Sequence, residues 1–289
     1  MANDSKKWAL ILGASSGFGA ATALALADAG FDVAGVHLDR RATLPNAEAV
    51  ADGIRAKGRD ALFFNVNAAD PERRAEVVAT CREAGADIRV MLHSLAFGTL
   101  KPYVWPGVAT GEAGAVVRPA DMDMTLSVMA HSLVWWAQDL LAAGLLARGA
   151  QLYVMTSAGN HRVSPAYGPV SAAKAALEAH VRQLAVELAP AGVAVNAIQA
   201  GVTDTPAARR IPGSEALFAS ALASNPGGRL TTPADVAALI AALAACDAAT
   251  WMTGNVLRVD GGEDLVCPPH PRLLQPAPSR QPPSYTCRQ

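Results

Sequence analysis

Short apolar runs alternate with longer stretches of helical periodicity along most of the chain. The runs lack a strict alternation of polar and apolar positions, which is typical of parallel strands covered on both faces. Strands are predicted over residues 8–14, 31–38, 61–67, 88–96, 151–155, 193–199 and 255–262. Helices are predicted over residues 20–29, 47–56, 122–147, 172–188 and 232–245, with a further helix opened by Asp70 and Pro71. The pattern indicates an α/β fold, a doubly wound parallel sheet of about seven strands with helices on both faces.

Two stretches between the predicted elements are too long to be ordinary turns. They cover residues 97–121 and 202–230, and each follows the carboxyl end of a predicted strand. Open α/β sheets bind ligands at that edge, and loops of this length are usually functional or disordered. We therefore predict a single domain over residues 1–266, with a substrate loop at about 202–230. The tail, residues 267–289, is rich in proline and is predicted to have no regular structure of its own.

Composition and charge exclude several classes of partner. Hydrophobic residues make up 51% of the chain and charged residues 17%, so a large core can be buried. The formal net charge of −1 argues against a nucleic acid or a membrane surface held by bulk electrostatics. No apolar run approaches the roughly 18–20 residues of a membrane span, and the first residues have no apolar region of signal-peptide length. The four cysteines show no metal-ligand spacing, so we expect no metal site and a reduced, cytoplasmic protein.

The first predicted strand ends in a turn that contains Gly13, Gly17 and Gly19, and a predicted helix follows. Strand, glycine turn and helix form the context that a dinucleotide-binding turn requires. Glycines let the backbone approach a pyrophosphate, and the helix N-terminus supplies free N–H groups. Tight turns also need glycine, but this context favours phosphate binding.

A later segment has the residue types that proton transfer needs. An apolar strand runs into Ser157, and a helical pattern follows the turn that contains Tyr167. If Tyr167 already lies on that helix, its spacing of seven residues from Lys174 puts both side chains on one face. The charge of Lys174 would then lower the pKa of Tyr167 and make its proton easier to give up. The alternative is a surface lysine and an interfacial tyrosine.

Five motifs together resemble those of the short-chain dehydrogenase/reductase family. They are Gly13-x3-Gly17-x-Gly19, Ser157-Ala-Gly, Lys174-Ala-Ala-Leu, Val195-Asn-Ala-Ile and Val259-Asp-Gly-Gly, and the match covers roughly residues 7–266. The resemblance implies a Rossmann fold, a nicotinamide cofactor, and catalytic roles for Tyr167, Lys174 and Ser157. It also implies cofactor binding by Gly13, Ser15, Ser16, Gly17, Phe18, Gly19, Asp39, Arg40, Asn67, Ser94, Lys174, Gly201, Thr203 and Thr205.

Several positions depart from the usual pattern of that family. Val170 stands four residues before the lysine, where ordinary members have the active tyrosine, so the spacing here is Tyr-x6-Lys. Residues 93–97 replace an Asn-Asn-Ala-Gly motif, Ala200 replaces a proline, and Met129 stands where ketone-reducing members place a relay asparagine. With residues 225–236, these departures resemble the divergent branch that contains the bacterial enoyl-acyl-carrier-protein reductases.

That resemblance implies reduction of the 2,3 double bond of an enoyl thioester, with Tyr167 stabilising the enolate oxygen. Ser157 stands where enoyl reductases often have a second tyrosine, and a small hydroxyl there is similar to ketone reducers. A carbonyl reductase or alcohol dehydrogenase is therefore the alternative enzyme. A non-catalytic nucleotide sensor is a third reading, which the intact Tyr-Lys pair disfavours.

The resemblance leaves the cofactor open between NADPH and NADH. Asp39 has the spacing from Gly19 of an acid that binds the ribose 2′-hydroxyl of NAD. The family's usual acid position is His37, however, and Arg40 and Arg41 follow as partners for a 2′-phosphate. We expect a slight preference for NADPH.

The expected partners are an acyl thioester, carried on coenzyme A or acyl-carrier protein, and further copies of the chain. Family members commonly form tetramers through the helices predicted here at 122–147 and 172–188. Trp135 and Trp136 are expected at that interface.

Other side chains near the predicted site carry simpler expectations. His93 and Ser94 are expected to satisfy backbone groups, and His161 and Arg162 to be solvated loop residues. An acyl pocket could draw on Phe97, Tyr103 and Trp105. The substrate loop is expected to act as a lid whose apolar face consists of Ile211, Leu217 and Phe218, the alternative being a rigid loop.

Overall fold

Seven parallel strands form one sheet in the computed structural model, which describes residues 6–104 and 115–266. The strands are β1 (Lys7–Leu12), β2 (Asp32–His37), β3 (Ala61–Asn65), β4 (Asp87–His93), β5 (Leu146–Ser157), β6 (Ala194–Ala200) and β7 (Val256–Val259). Their order is β3-β2-β1-β4-β5-β6-β7, so the chain reverses its direction of travel across the sheet between β1 and β4. The predicted doubly wound parallel sheet is confirmed, with its ligand-binding switch point at those two strands.

The helices cover both faces of the sheet. They are α1 (Gly17–Asp28), α2 (Leu44–Ala56), α3 (Pro71–Glu83), α4 (Pro119–Leu126), α5 (Ser132–Ala142), α6 (Gly168–Glu187), α7 (Ser214–Ser224) and α8 (Pro233–Ala244). One core cluster packs α3, α5 and α6 on the sheet, and a second packs α1, α2 and α8 on the opposite face. Because helices cover both faces of the sheet, side chains on both sides of a strand can be apolar. The strands therefore lack an alternation of polar and apolar residues, as the sequence pattern indicated.

The long helix predicted over residues 122–147 is wrong in its extent. The structure has α4, then a π-helical turn at Ser127–His131, and then α5, which ends at Ala142. The side chain of Ser132 donates a hydrogen bond of 2.7 Å to the carbonyl of Val128, within this turn. Gly144 has a left-handed conformation (φ +69°) that ends the helical segment, and β5 begins two residues later, before the predicted start.

Two helix starts follow the sequence signals. Asp70 accepts hydrogen bonds from the backbone of Glu72 and Arg73, which makes it the N-cap of α3. Thr232 and Asp235 form a reciprocal capping box at the start of α8. These local bonds satisfy backbone N–H groups that the first turn of a helix leaves open.

Some sequence expectations concern residues outside the described ranges. Trp105, part of the 97–121 loop, two of the four cysteines and the proline-rich tail all lie there. Within residues 6–104 and 115–266, no helix combines the length and apolarity needed to cross a membrane. The same ranges contain no group of three His, Cys, Asp or Glu side chains placed to hold a metal ion.

Candidate active site

The glycine turn after β1 brings three backbone segments unusually close together. Gly13 has φ +93°, and a Cβ atom there would lie 2.5 Å from the carbonyl oxygen of Ser94. A Cβ atom on Gly19 would lie 2.0 Å from the carbonyl oxygen of Gly13. Only glycine fits both positions, so the backbone turns tightly here and the first turn of α1 presents open N–H groups. Such a turn fits the pyrophosphate of a dinucleotide.

The residues expected at the adenosine end lie beyond β2 and β3. Asp39 accepts a hydrogen bond of 2.9 Å from Nδ1 of His37 and is held through its backbone by Asn65. Burial opposes ionisation of Asp39, but hydrogen bonds from Thr43, Ser15 and His37 outweigh it and lower its pKa.

The other residues of this end leave their ligand-binding groups accessible. Arg40 is exposed, and so are Asn67 and Ser16, the N-cap residue of α1. The side chain of Asn67 accepts a bond from the backbone of Ala69, and Ser16 makes no side-chain capping bond.

A cleft of about 350 Å³ opens at the carboxyl ends of β4, β5 and β6. It is lined by eight of the predicted site residues: Phe18, Ser94, Ser157, Tyr167, Lys174, Gly201, Thr203 and Thr205. The remaining predicted cofactor residues are not among its lining residues. The glycine turn lies next to the cleft at Gly17, where an added Cβ atom would contact the methyl group of Thr205 at 3.5 Å. The glycine turn and the cleft therefore form one continuous site.

Tyr167 stands at the N-cap of α6, in helical conformation, and its carbonyl accepts the N–H of Ser171 at 2.9 Å. The residue before it, Ala166, has φ +61°, a strained conformation for alanine. The phenol ring packs so closely on Gly159 that a Cβ atom there would lie 2.5 Å from it. The strained turn and the glycine fix where the phenol projects into the cleft.

The expected effect on the Tyr167 pKa is wrong in direction. Burial raises the pKa of Tyr167, and the neighbouring Ser157 hydroxyl offsets this only in part. The charge of Lys174 is not among the causes that act on this pKa, and its Nζ donates a 2.6 Å hydrogen bond to the carbonyl of Met155. The phenol therefore stays protonated at neutral pH and acts as a hydrogen-bond donor.

Lys174 is buried, and its pKa is lowered to about 8 by desolvation, against the opposing charge of Glu178 one helical turn later. Glu178 accepts hydrogen bonds from Thr156 at 2.6 Å and Asn160 at 2.5 Å. The carboxylate thus ties α6 to the end of β5 and to the loop that follows it.

Ser157 and two apolar side chains complete the wall around the phenol. The hydroxyl of Ser157 is buried beside the phenol, on whose pKa it acts, and has no partner of standard hydrogen-bond geometry in the described residues. Val170 and Met129 line the cleft and enclose Gly98, whose Cβ position is 2.8 Å from each. Neither of them can exchange a proton.

The sequence analysis missed two acids that brace the site. Glu263 accepts the backbone N–H of Val202 at 3.1 Å, immediately after β6. Asp264, whose side chain is nearly buried, pairs with Arg162 at 2.8 Å and with His161 at 3.1 Å. Both side chains are about half exposed, as expected of solvated loop residues, but each is paired with this acid, and Arg162 also lines the cleft. The position of these two acids directly after the Asp-Gly-Gly motif was the sequence signal that could have indicated a role in the site.

Three aromatic expectations have different outcomes. Phe97 lines the cleft, whereas Tyr103 is not among the lining residues and packs over Gly168. Trp136 is fully buried in the core, where its Nε1 donates to the carbonyl of Ala68 at 2.9 Å. The expected interface position is wrong for Trp136. Trp135, by contrast, is 41% exposed.

Thr203 and Thr205 are buried in the cleft wall, and their hydroxyls bond locally to Gly201 and to the backbone of Ala208. Of the expected lid residues, Ile211 and Leu217 line the cleft, while Phe218 is not among its lining residues. Arg210 joins them, and no described residue forms an ion pair with it.

A family model described as Enoyl-(Acyl carrier protein) reductase matches residues 13–263. The chain belongs to the short-chain dehydrogenase/reductase family. Similar members include 1-cyclohexenylcarbonyl-CoA reductase of Streptomyces collinus, 32% identical over 92% of this chain and 90% of its own length. Cis-4-hydroxycyclohexanecarboxylate dehydrogenase of Sinomonas cyclohexanicum is 34% identical over 89% of this chain and 96% of its own.

Solved structures of the same family superimpose closely. Enoyl-[acyl-carrier-protein] reductase (NADH) from Aquifex aeolicus has a TM-score of 0.77 at 24% identity, covering 90% of this chain and 97% of that one. At this identity the likeness shows the fold. A short chain dehydrogenase from Burkholderia cenocepacia, in complex with NADP, has a TM-score of 0.74 at 28% identity, covering 91% and 100%. The chain is thus an oxidoreductase of a family that uses nicotinamide cofactors.

Proposed function

We propose that this protein reduces the 2,3 double bond of an enoyl thioester with NADPH or NADH. One observation carries the proposal: the cleft places the phenol of Tyr167 with the buried ammonium of Lys174, while Val170 fills the position four residues before the lysine. The Tyr-x6-Lys spacing is the feature that distinguishes the enoyl-reducing branch that the sequence resembles. The match to the enoyl reductase family model supports the same reading.

The side chains of the cleft suit charge that develops on a thioester oxygen. The reduced nicotinamide supplies the hydride, which the β-carbon of the substrate accepts. Tyr167, which is protonated at neutral pH, donates a hydrogen bond to the oxygen as the enolate forms. Lys174 would bind the ribose hydroxyls and hold positive charge beside the reaction. The α-carbon then takes a proton from Tyr167 or from a relayed water.

The walls of the cleft fit an apolar acyl chain on an anionic carrier. Leu95, Phe97, Ile211 and Leu217 supply apolar surface. Arg210 adds a guanidinium with no acidic partner among the described residues. Phosphate groups of coenzyme A, or of the prosthetic arm of an acyl-carrier protein, would neutralise it. The relative named as a reductase of 1-cyclohexenylcarbonyl-CoA acts on such a carrier.

We propose that the enzyme prefers NADPH to NADH. Asp39 is engaged by His37, and the exposed Arg40 and Arg41 have no acidic partner in the described part of the chain. Two free guanidiniums near the adenosine ribose favour a 2′-phosphate. Arg40→Ala with Arg41→Ala should raise the KM for NADPH by about 10-fold while changing the KM for NADH little, since a charged hydrogen bond is worth roughly 1.5–3 kcal/mol. A parent enzyme that strongly prefers NADH would contradict this preference.

A second candidate function rests on Ser157. Its buried hydroxyl beside Tyr167 would polarise a ketone or alcohol oxygen, and a relative named as a dehydrogenase of a hydroxylated cyclohexane carboxylate supports this reading. The enzyme would then be a carbonyl reductase or alcohol dehydrogenase.

One assay separates the two functions. Purified protein is mixed with NADPH or NADH and, separately, with crotonyl-CoA and acetoacetyl-CoA, and loss of the reduced cofactor is followed by absorbance. Enoyl reduction predicts turnover with the crotonyl thioester at least 10-fold above that with the acetoacetyl thioester. The reverse ratio would overturn the proposal and support the second candidate. Cofactor binding without turnover of either substrate class would favour a nucleotide sensor.

A further inference from the structure

His93, the last residue of β4, is fully buried, and its hydrogen bonds determine its tautomer. Its Nε2 lies 2.8 Å from the hydroxyl of Ser132. That hydroxyl already donates its hydrogen to the carbonyl of Val128 at 2.7 Å. Ser132 can therefore only accept from the imidazole, so the proton of a neutral His93 is on Nε2. The other ring nitrogen, Nδ1, is left as a lone-pair acceptor.

This lone pair is an unusual feature of the core. Nδ1 of His93 is buried and has no hydrogen-bond partner among the described residues. Leaving a buried acceptor unpaired costs about 1–3 kcal/mol, so such atoms usually have a bound water or ligand. Burial, and secondarily the charge of Lys174, lower the pKa of His93 to about 3, against a smaller opposing effect of the residue's own backbone. The imidazole therefore remains neutral, and Nδ1 remains an acceptor, at all ordinary pH values.

The ammonium of Lys174 is close enough for its charge to act on the imidazole, and it has hydrogens to spare. His93 is in register with Val154 of β5, and Lys174 bonds the carbonyl of the next residue, Met155. The contact with Ser132 puts the imidazole on the sheet face that α5 and α6 cover, the face from which Lys174 approaches. An ammonium has three hydrogens, and the Met155 carbonyl takes one of them. Besides burial, the charge of Glu178 acts on this ammonium, and Lys174 lines the cleft.

We propose that His93 is a positioning residue for Lys174, acting through one buried water. The water donates a hydrogen to Nδ1 of His93 and accepts one from Nζ of Lys174. With the Met155 carbonyl, this fixes two of the three ammonium hydrogens and directs the third into the cleft. The water also stabilises the charged form of the lysine in a buried place. The effect on turnover rests on the proposed function, whereas the effects on the imidazole and on cofactor binding do not.

The first test reads the tautomer directly and needs no cofactor. Nitrogen-15 NMR of histidine-labelled protein, with His93 assigned from a His93→Asn sample, should show the Nε2–H tautomer without titration from about pH 5 to 9. Ser132→Ala removes the acceptor for Nε2–H, so it should move the proton to Nδ1. A parent protein with the Nδ1–H tautomer, or with ordinary titration of His93 near neutral pH, overturns the proposal.

The second test measures binding of whichever reduced cofactor binds more tightly, by fluorescence, without substrate and across pH. His93→Leu removes the acceptor and His93→Asn keeps one near the position of Nδ1. We expect the leucine variant to lose affinity about one pH unit lower than the parent, because its ammonium is less stabilised, and the asparagine variant to behave like the parent. Ser132→Ala should resemble the leucine variant, and serves in its place if His93→Leu does not fold.

A matched control is Thr80→Ala, which removes another hydroxyl that bonds the carbonyl four residues earlier, on the exposed side of α3. It should leave the pH dependence of binding unchanged. If His93→Leu binds cofactor as the parent does at every pH, or if the leucine and asparagine variants are equally impaired, His93 has only a structural role and the proposal is wrong. Absence of cofactor binding in the parent would instead refute the proposed function, and the NMR result would still decide the tautomer.

Discussion

At the scale of single residues, the phenol of Tyr167 is the group on which turnover depends most directly. Burial raises its pKa further above neutral, so it stays a donor, and its hydrogen bond is needed mainly in the transition state. Tyr167→Phe should therefore lower kcat by about 10²–10³-fold while leaving the cofactor dissociation constant unchanged. Steady-state kinetics and fluorescence titration measure the two quantities. Tyr103→Phe, which alters a phenol that does not line the cleft, is the control. Parental turnover in Tyr167→Phe would remove this residue from the mechanism.

The buried ammonium of Lys174 predicts how activity depends on pH. Its pKa is lowered to about 8 by desolvation, so the group is charged below that pH and loses its proton as the pH rises through it. We expect kcat/KM for the cofactor to fall along a basic limb near pH 8.

Glu178→Gln tests the assignment of that limb. The variant removes the charge that raises the lysine pKa, so the limb should move to lower pH. Glu48→Gln, on the exposed side of α2, should leave the limb in place. A limb that does not respond to Glu178→Gln belongs to another group.

At the scale of elements, α7 is the least anchored helix of the site. Of its residues only Ala221 is buried, and Gly213 and Gly228, on either side of it, have left-handed conformations. Because α7 has few buried contacts, it can open locally without ligand. We therefore expect the segment to close over cofactor and substrate when they bind. Hydrogen exchange of amides from about 204 to 222 should slow when cofactor and an enoyl analogue bind. Equal, high protection with and without ligand would instead mean a rigid loop.

The fold was predictable from the sequence because each strand is a short apolar run and most helices have clear start signals. Asp70 and Thr232 cap helices as predicted. The break between α4 and α5 was not predictable, because it depends on a side-chain bond from Ser132 inside a uniformly apolar segment. Residue types alone could not show that bond.

The parts of the site that lie in sequence motifs were predictable, and the parts that depend on contacts between distant segments were not. The glycine turn and the pair formed by Tyr167 and Lys174 lie in one site, as expected. The direction of the tyrosine pKa depends on burial, and the roles of Glu263 and Asp264 depend on loops more than 60 residues away. Neither the burial of the tyrosine nor the contacts of the two acids can be deduced from the sequence.

At the scale of the whole molecule, α5 and α6 leave an apolar surface on the outside. Trp135 is 41% exposed, Leu141 46% and Val186 73%. We propose that a second copy of the chain covers this surface within a tetramer, because apolar area contributes about 25 cal/mol per Å² when buried. Sedimentation should show an oligomer at micromolar concentration, and Trp135→Lys should dissociate it. A monomeric parent would contradict the assembly. Dissociation by Leu38→Lys instead, at an exposed leucine directly after β2, would place the interface elsewhere.

The acids that brace the cleft also determine when the site is completed during synthesis. Glu263 holds the backbone of Val202, and Asp264 holds Arg162, so the two loops that flank the cleft are tied by residues near the end of the domain. A chain emerging from the ribosome has its glycine turn, its phenol and its ammonium long before these acids appear. The nascent protein therefore holds every reacting group while its cleft is still unbraced, until the turn that carries these two acids has been translated.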